Sequence, residues 1–310
     1  MSARTQIIVA LGVATLYFLA TAIAALRRSA RSAGRIASTV LPVPSIPQLL
    51  TGFVTNFLDT LGIGSFATTT TLFKLTQMVP DEQLPGTLNV GHTLPTILQA
   101  ILYISLVEVD PITLVLLMVS AVSGAWWGAG IVARLPRRAV QRGVGFALVA
   151  SIVFLTMAGL HLFPAGGLRL ALEGSRLLVA MLGFCLFGAL GSLGVGFYAP
   201  CMILVSLLGM APLAAFPIMM SSSAFLMPAA SARFLAKHSF DARTAAGLAF
   251  GGLPAVLLAA FVVKSLPLGL LRWLVIAAAS CAAILLFRSA AHEARFVSAA
   301  SPSSSPGSLS

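Results

Sequence analysis

The chain has 310 residues, of which 58% are hydrophobic and 9% are charged, with a net charge of +11. Its mean hydropathy is +1.01. A soluble domain is only about 45–50% apolar, so this composition excludes one and indicates an integral membrane protein in a lipid bilayer. Long apolar runs favour helices over a transmembrane barrel. We predict an all-α, polytopic fold. The basic residues lie beside the apolar runs, which indicates topology rather than nucleic-acid binding.

The first apolar run covers residues 6–26. Four arginines follow it at once: Arg27, Arg28, Arg31 and Arg35. Ala22 and Ala24 resemble a signal-peptide cleavage site, but the long run and its basic flank favour a retained anchor helix. Residues 1–45 are therefore predicted to form an N-terminal anchor helix and a basic cytoplasmic linker.

The rest of the chain contains an internal repeat. The stretch LDTLGIGSFAT at 58–68 aligns with LGSLGVGFYAP at 190–200, and the same shift pairs Met78 with Met210. The chain is thus predicted to consist of two homologous halves with flanking segments. Their limits are 46–160 for the first half, 161–176 for a connector, 177–288 for the second half and 289–310 for a disordered Ser/Pro-rich tail.

In each half, one glycine-broken segment precedes three helical spans. The spans are 84–107, 112–133 and 140–160 in the first half, and 213–235, 244–264 and 268–287 in the second. Basic clusters lie at 27–35, 134–142, 233–243 and 288–295. If each broken segment is re-entrant or V-shaped, all four clusters fall on the cytoplasmic side, and the acidic turn at Glu108 and Asp110 falls outside. Each half then makes three net crossings, so the halves are inverted repeats, as in many secondary transporters.

The glycines at each break permit backbone conformations that other residues avoid. Such backbone survives at membrane depth only when it is buried in protein or lines a watery cavity. Exposed helix N-termini there offer N–H groups and partial positive charge to an anion. The breaks therefore predict an anion site at Gly62 and Gly64 in the first half and at Gly194 and Gly196 in the second. The alternative is that these glycines only allow tight helix packing.

The two glycine-rich segments, LGIGSFATTTTLF and LGVGFYAPCMILV, are each followed by a span and a basic turn. They resemble the TauE/SafE family of membrane permeases, often called sulfite exporters, over roughly residues 46–288. The second motif, with Pro200, is the closer match; the first has Thr68 where the family usually has proline. The resemblance implies a multi-pass permease that exports a small anion, such as sulfite or an organosulfonate, across a bacterial inner membrane.

Asp59 is a carboxylate within the first glycine-broken segment, where an ionisable group is costly and marks an ion or proton path by default. An ionised carboxylate repels an anion, so it must be neutralised during a transport cycle. We expect Asp59 to couple transport to protons, with a cation as the alternative. A further alternative is that Asp59 sits at the membrane surface and caps the break. Asn56 would share its helical face.

Further polar residues are predicted to line a binding cavity between the halves. The candidates for contact with the anion, besides the glycines, are Asn56, Ser65, Thr68, Asn89, Ser221 and Ser222. Asn89 and His92 lie three residues apart on one helical face, and His92 is a second candidate proton carrier. Threonine and serine hydroxyls also bond back to helical carbonyls, which is the alternative for each of them.

Two other functions compete with transport. Ser65 with His92 is compatible with an intramembrane serine protease, in which histidine activates the serine. The second half keeps the glycines but has Phe197 at the position of the serine, so the repeat retains the break and not the nucleophile. A non-transporting membrane scaffold is the other alternative. We expect no enzyme activity and no cofactor, and the isolated cysteines lack the spacing of a metal site.

Overall fold

A computed structural model describes residues 2–32, 43–62, 64–80, 82–132, 167–191 and 197–265. This part of the chain is all-helical, which confirms the predicted fold class. Its helices are α1 (Ala3–Ser32), α2 (Ile46–Thr60), α3 (Ser65–Thr76), α4 (Leu84–Leu106), α5 (Pro111–Val132), α6 (Gly174–Gly191), α7 (Tyr198–Leu207), α8 (Ala215–Lys237) and α9 (Ala242–Ser265). Within the described residues, three segments are long and apolar enough to cross a membrane: Ala3–Arg28, Ala215–Lys237 and Ala242–Val262.

The four predicted spans that fall within the described residues are present as helices α4, α5, α8 and α9. Their ends differ from the predicted limits by at most two residues, which is the usual uncertainty of a helix boundary. The predictions that lie outside the described residues include the spans 140–160 and 268–287, Gly194 and Gly196, the basic clusters at 134–142 and 288–295, and the tail at 289–310.

The chain leaves the helical conformation between Thr60 and Ser65. Gly62 and Gly64 have φ angles of 93° and 87°. Residues with a β-carbon rarely adopt such angles, so glycine is needed at both positions. Both glycines lie between α2 and α3, where the chain changes direction.

Contacts with α4 give the directions of α2 and α3. Along α2, Asn56 contacts His92 and Thr60 contacts Gln99, so the two helices run parallel. Along α3, Thr69 contacts His92, and the later residue Phe73 packs in a cluster with the earlier Leu88. Helix α3 therefore runs back beside α4, and Leu61, Gly62 and Gly64 lie at the tip of a helical hairpin.

Helices α6 and α7 have a similar relation. The Ala211 N–H donates to the Arg169 carbonyl oxygen at 3.1 Å, and a β-carbon at Gly167 would overlap the backbone of Gly209. The segment that follows α7 thus lies beside the segment that precedes α6. Helix α7 therefore runs back toward the level at which α6 begins.

Two parallel helix pairs flank the molecule. In the α2–α9 pair, a β-carbon at Gly52 would lie 2.6 Å from the Gly247 carbonyl oxygen, so the backbones are in direct contact. In the α5–α6 pair, the Leu172 N–H before α6 donates to the Thr113 Oγ1 at the start of α5, and further along both helices a β-carbon at Gly124 would overlap the backbone of Cys185. Small residues at helix crossings permit this close approach.

Between these pairs, α4 and α8 pack antiparallel. Near the start of α4, a β-carbon at Gly86 would overlap the backbone of Ser239, just beyond α8. Near its end, the rings of Tyr103 and Phe216 stack with centroids 4.9 Å apart. The starts of α2, α4 and α9 therefore lie at one end of the molecule, and those of α5, α6 and α8 lie at the other.

The two ends differ in charge. The first, here named the basic end, also holds the end of α1, because Ala25 packs in a cluster with Leu235 and Ala245. Its described charged side chains are Arg27, Arg28, Lys74, Glu82, Arg233, Lys237, Asp241 and Arg243. Those of the opposite end are Arg4, Glu108, Asp110, Arg169, Glu173 and Arg176. Positive charge among the described residues is thus concentrated at the basic end.

Candidate functional site

Helix α4 carries a strip of polar side chains that face the interior. The strip consists of His92, Thr96, Gln99 and Tyr103, which recur at spacings of three or four residues and are at most 2% exposed. Such spacing places side chains on one face of a helix. This face lies against α2 and α3, so the polar groups of the strip are buried in protein.

His92 lies at the centre of a hydrogen-bond network. Its Nδ1 is 3.0 Å from the Asn56 Oδ1, and its Nε2 is 3.0 Å from the Thr69 Oγ1. The Asn56 amide nitrogen donates to the carbonyl oxygens of Gly52 at 2.8 Å and Leu248 at 3.4 Å. These carbonyls fix the amide orientation, which assigns the proton to Nδ1. In the neutral ring, Nε2 then accepts from the Thr69 hydroxyl.

This network joins α2, α3, α4 and α9 around one fully buried imidazole. Both ring nitrogens of His92 are engaged, and among the described residues Ser65 makes no hydrogen bond to His92. In this geometry the two ring nitrogens of His92 contact Thr69 and Asn56.

We predict that Thr69→Val destabilises the protein by about 1–3 kcal/mol, because it leaves the buried His92 Nε2 without a partner. Thr76→Val is the matched control, since the exposed Thr76 hydroxyl bonds only to the Leu72 carbonyl oxygen. The two unfolding midpoints in detergent provide the measurement. Equal midpoints would contradict the assigned network.

Asp59 lies at the hairpin tip and is fully buried. Its Oδ1 accepts the backbone N–H of Ser65 at 2.6 Å, so it caps the start of α3 and complements the positive end of the helix dipole. The capping contact that was the alternative for Asp59 is present, and the carboxylate that makes it is buried in protein. The Oδ2 atom has no hydrogen-bond partner among the described residues.

Thr60, at the end of α2, connects this helix to α4. Its hydroxyl donates to the Asn56 carbonyl oxygen at 2.7 Å and accepts from the Gln99 Nε2 at 3.0 Å. The Tyr103 hydroxyl donates to the Thr60 carbonyl oxygen at 2.6 Å. Because the single Thr60 proton is already used, the amide nitrogen of Gln99 must face Thr60. The Gln99 Oε1 then has no partner among the described residues.

The start of α7 meets this tip from the other half of the chain. Leu61 at the tip and Tyr198 at the start of α7 belong to one buried apolar cluster. A β-carbon at Gly62 would contact the side chains of Met202 and Phe216 at 3.4 and 3.3 Å. The N-terminal ends of α3 and α7 therefore converge near Asp59.

The other predicted contact residues make local bonds. The side chains of Thr68, Asn89, Ser221 and Ser222 each donate to a carbonyl oxygen four residues earlier in the chain. None of them hydrogen-bonds to Asp59 or His92 within the described part of the chain. Gln99 and Tyr103 were not among the predicted site residues. The available signal was their spacing from His92, which places them on its helical face.

Comparison with known proteins gives no match among protein-family models, curated proteins or solved structures. The chemistry of the site therefore has to be inferred from its geometry. That geometry combines a buried carboxylate, two converging helix N-termini and a polar strip on α4.

Proposed function

We propose that the chain is a secondary membrane transporter of the TauE/SafE type that carries a small anion outward. The observation that supports this most is the convergence of the N-terminal ends of α3 and α7 on the hairpin tip that holds the buried Asp59. Helix N-termini bind anions without a basic side chain, because their N–H groups and dipole both favour negative charge. Discontinuous helices that point such ends at a buried centre are typical of transporters.

The packing supports two inverted halves. The shift that aligns the glycine motifs relates the pair α2–α9 to the pair α6–α5, and both pairs are parallel. It also relates α4 to α8, which have 23 residues each and run antiparallel. If the two halves are inverted repeats, equivalent helices such as α4 and α8 must run in opposite directions.

Local details agree with this correspondence. The backbone N–H of Thr113 is capped by Asp110 at the start of α5, and that of Thr244 is capped by Asp241 at the start of α9. Gln77 after α3 and Gly209 after α7 both have positive φ angles, of 53° and 90°. These pairs occupy equivalent positions in the two proposed repeats.

The proposed orientation places the basic end in the cytoplasm, according to the positive-inside rule. The hairpin α2–α3 then enters from the cytoplasmic side, and the hairpin α6–α7 enters from the other side of a bacterial inner membrane. The membrane potential, negative inside, favours the exit of an anion by about 2.3 kcal/mol per charge per 100 mV.

Asp59 supplies a mechanism for alternating occupancy. Its carboxylate accepts from the Ser65 N–H, the first donor that an anion would meet at the start of α3. An ionised Asp59 and a bound anion would repel one another and compete for this helix end. Neutralisation of Asp59 by a coupling ion therefore favours binding of the anion, and loss of that ion favours its release.

A counterflow assay in proteoliposomes tests the function. The protein is reconstituted with sulfite, an organosulfonate or a carboxylate inside, and uptake of the labelled anion is followed. We expect uptake of at least one anion above protein-free liposomes, and retained uptake with Ser65→Ala, which keeps the backbone N–H. Absence of counterflow for the whole panel would overturn the proposal. Peptide cleavage that Ser65→Ala abolishes would favour the protease alternative.

A further inference from the structure

Three buried side-chain atoms in the described part of the chain have no hydrogen-bond partner. They are Asp59 Oδ2, Thr96 Oγ1 and Gln99 Oε1. All three are oxygen atoms, and their residues are at most 1% exposed. Buried polar groups normally have partners, and an unpaired one costs about 1–3 kcal/mol. Three such atoms in one region indicate that something else occupies it.

The three residues belong to one place in the fold. Thr96 and Gln99 lie three residues apart on the polar strip of α4, on the face that carries His92. Gln99 reaches α2 through Thr60, the residue next to Asp59. The free oxygens thus lie where α4 faces the hairpin tip.

The chemistry of these atoms favours a hard cation. A carboxylate, an amide oxygen and a hydroxyl form an oxygen-only ligand set, which suits cations such as Na⁺ and not soft metals. The C-terminal end of α2 adds partial negative charge beside Asp59. In broken-helix transporters, helix C-terminal ends and free oxygens hold the cation, while N-terminal ends hold the anion. One carboxylate balances a single positive charge.

We propose that Asp59, Thr96 and Gln99 form a binding site for a monovalent cation, with Na⁺ as its ion. The site deepens the proposed function, and its role in transport rests on that function, because a bound Na⁺ neutralises Asp59 and frees the start of α3 for the anion. Binding of Na⁺ itself does not depend on transport. It can therefore be measured without any substrate anion.

The experiment measures unfolding midpoints of the purified full chain in detergent. NaCl, KCl and choline chloride are compared at equal ionic strength and pH, so that chloride is constant. A ligand that binds only the folded state raises the midpoint in a saturable way. We expect such a rise with NaCl and none with choline chloride. A rise with KCl and not with NaCl would overturn the assignment to Na⁺, and equal midpoints in all three salts would overturn the site.

Two variants test the ligands. Thr96→Val keeps the shape of the side chain and removes one oxygen, and Asp59→Asn keeps an acceptor for the Ser65 N–H. Residues that contact the ligands of a bound metal ion, and not the ion itself, contribute roughly 10-fold to 100-fold to its affinity. We therefore expect each variant to weaken the apparent Na⁺ affinity by at least about 10-fold. Thr55→Val is the control, because its buried hydroxyl bonds to the Thr51 carbonyl oxygen.

Na⁺ affinity that is unchanged in Thr96→Val and Asp59→Asn would overturn the site even if the wild-type protein binds Na⁺. Counterflow distinguishes this failure from failure of the proposed function. An anion carrier without the site would show counterflow but no Na⁺ shift. A cation site without transport would show the opposite pattern.

Discussion

Asp59→Asn is expected to reduce gradient-driven anion flux to the level of protein-free liposomes while the protein stays folded and binds the anion. The asparagine side chain keeps an oxygen that can accept the Ser65 N–H, so the start of α3 remains capped. It has no charge to be neutralised, so the coupling ion loses its effect. Flux under imposed pH and Na⁺ gradients, together with anion binding by calorimetry, provides the measurement.

Asp110→Asn is the matched control for this variant. Asp110 is also a capping carboxylate, but it lies at the start of α5 and does not belong to the polar strip of α4. We expect its variant to keep gradient-driven flux. If Asp59→Asn also keeps that flux unchanged, Asp59 is only a helix cap, and the coupling residue has to be sought at His92.

Gly124→Ala is expected to destabilise the protein by about 1–3 kcal/mol or more, which is the usual range for overpacking a close-packed core. The new β-carbon would overlap the backbone of Cys185, so α5 and α6 would have to separate. The unfolding midpoint and the monodisperse fraction after detergent extraction measure the effect.

Gly12→Ala in α1 is the control, because a β-carbon there has no atom within 4 Å. Alanine is favoured over glycine in a helix by about 1 kcal/mol, so this variant should be neutral or slightly stabilised. Equal midpoints for the two variants would contradict the close crossing of α5 and α6.

The fold class and most of the described helices could be predicted from the sequence. Long apolar runs indicate helices directly, and Gly62 with Gly64 marked the place where the chain leaves the helix between α2 and α3. These features are local, so the residues that cause them are adjacent in the sequence. The tail at 289–310, which we predict to be disordered, lies outside the described residues.

The candidate site could be predicted only in part. Asp59 and His92 stand out because ionisable groups are rare in apolar segments. Thr69 does not, since four consecutive threonines look alike until the rotation of α3 brings one of them to His92. Thr68 was the predicted contact, but its hydroxyl bonds back to carbonyl oxygens at the start of α3. Side-chain partners on other helices depend on packing, which a single sequence does not reveal.

Two-sided thiol labelling tests most directly the claim that two inverted halves enclose the site. Single cysteines replace Glu108, Arg138 or Lys237 in a background in which Cys185, Cys201 and Cys281 are replaced by serine. A membrane-impermeant reagent is then applied to intact cells and to inverted vesicles. We expect positions 138 and 237 to be labelled from the cytoplasmic side and position 108 from the opposite side. Labelling of positions 138 and 237 from opposite sides would contradict it.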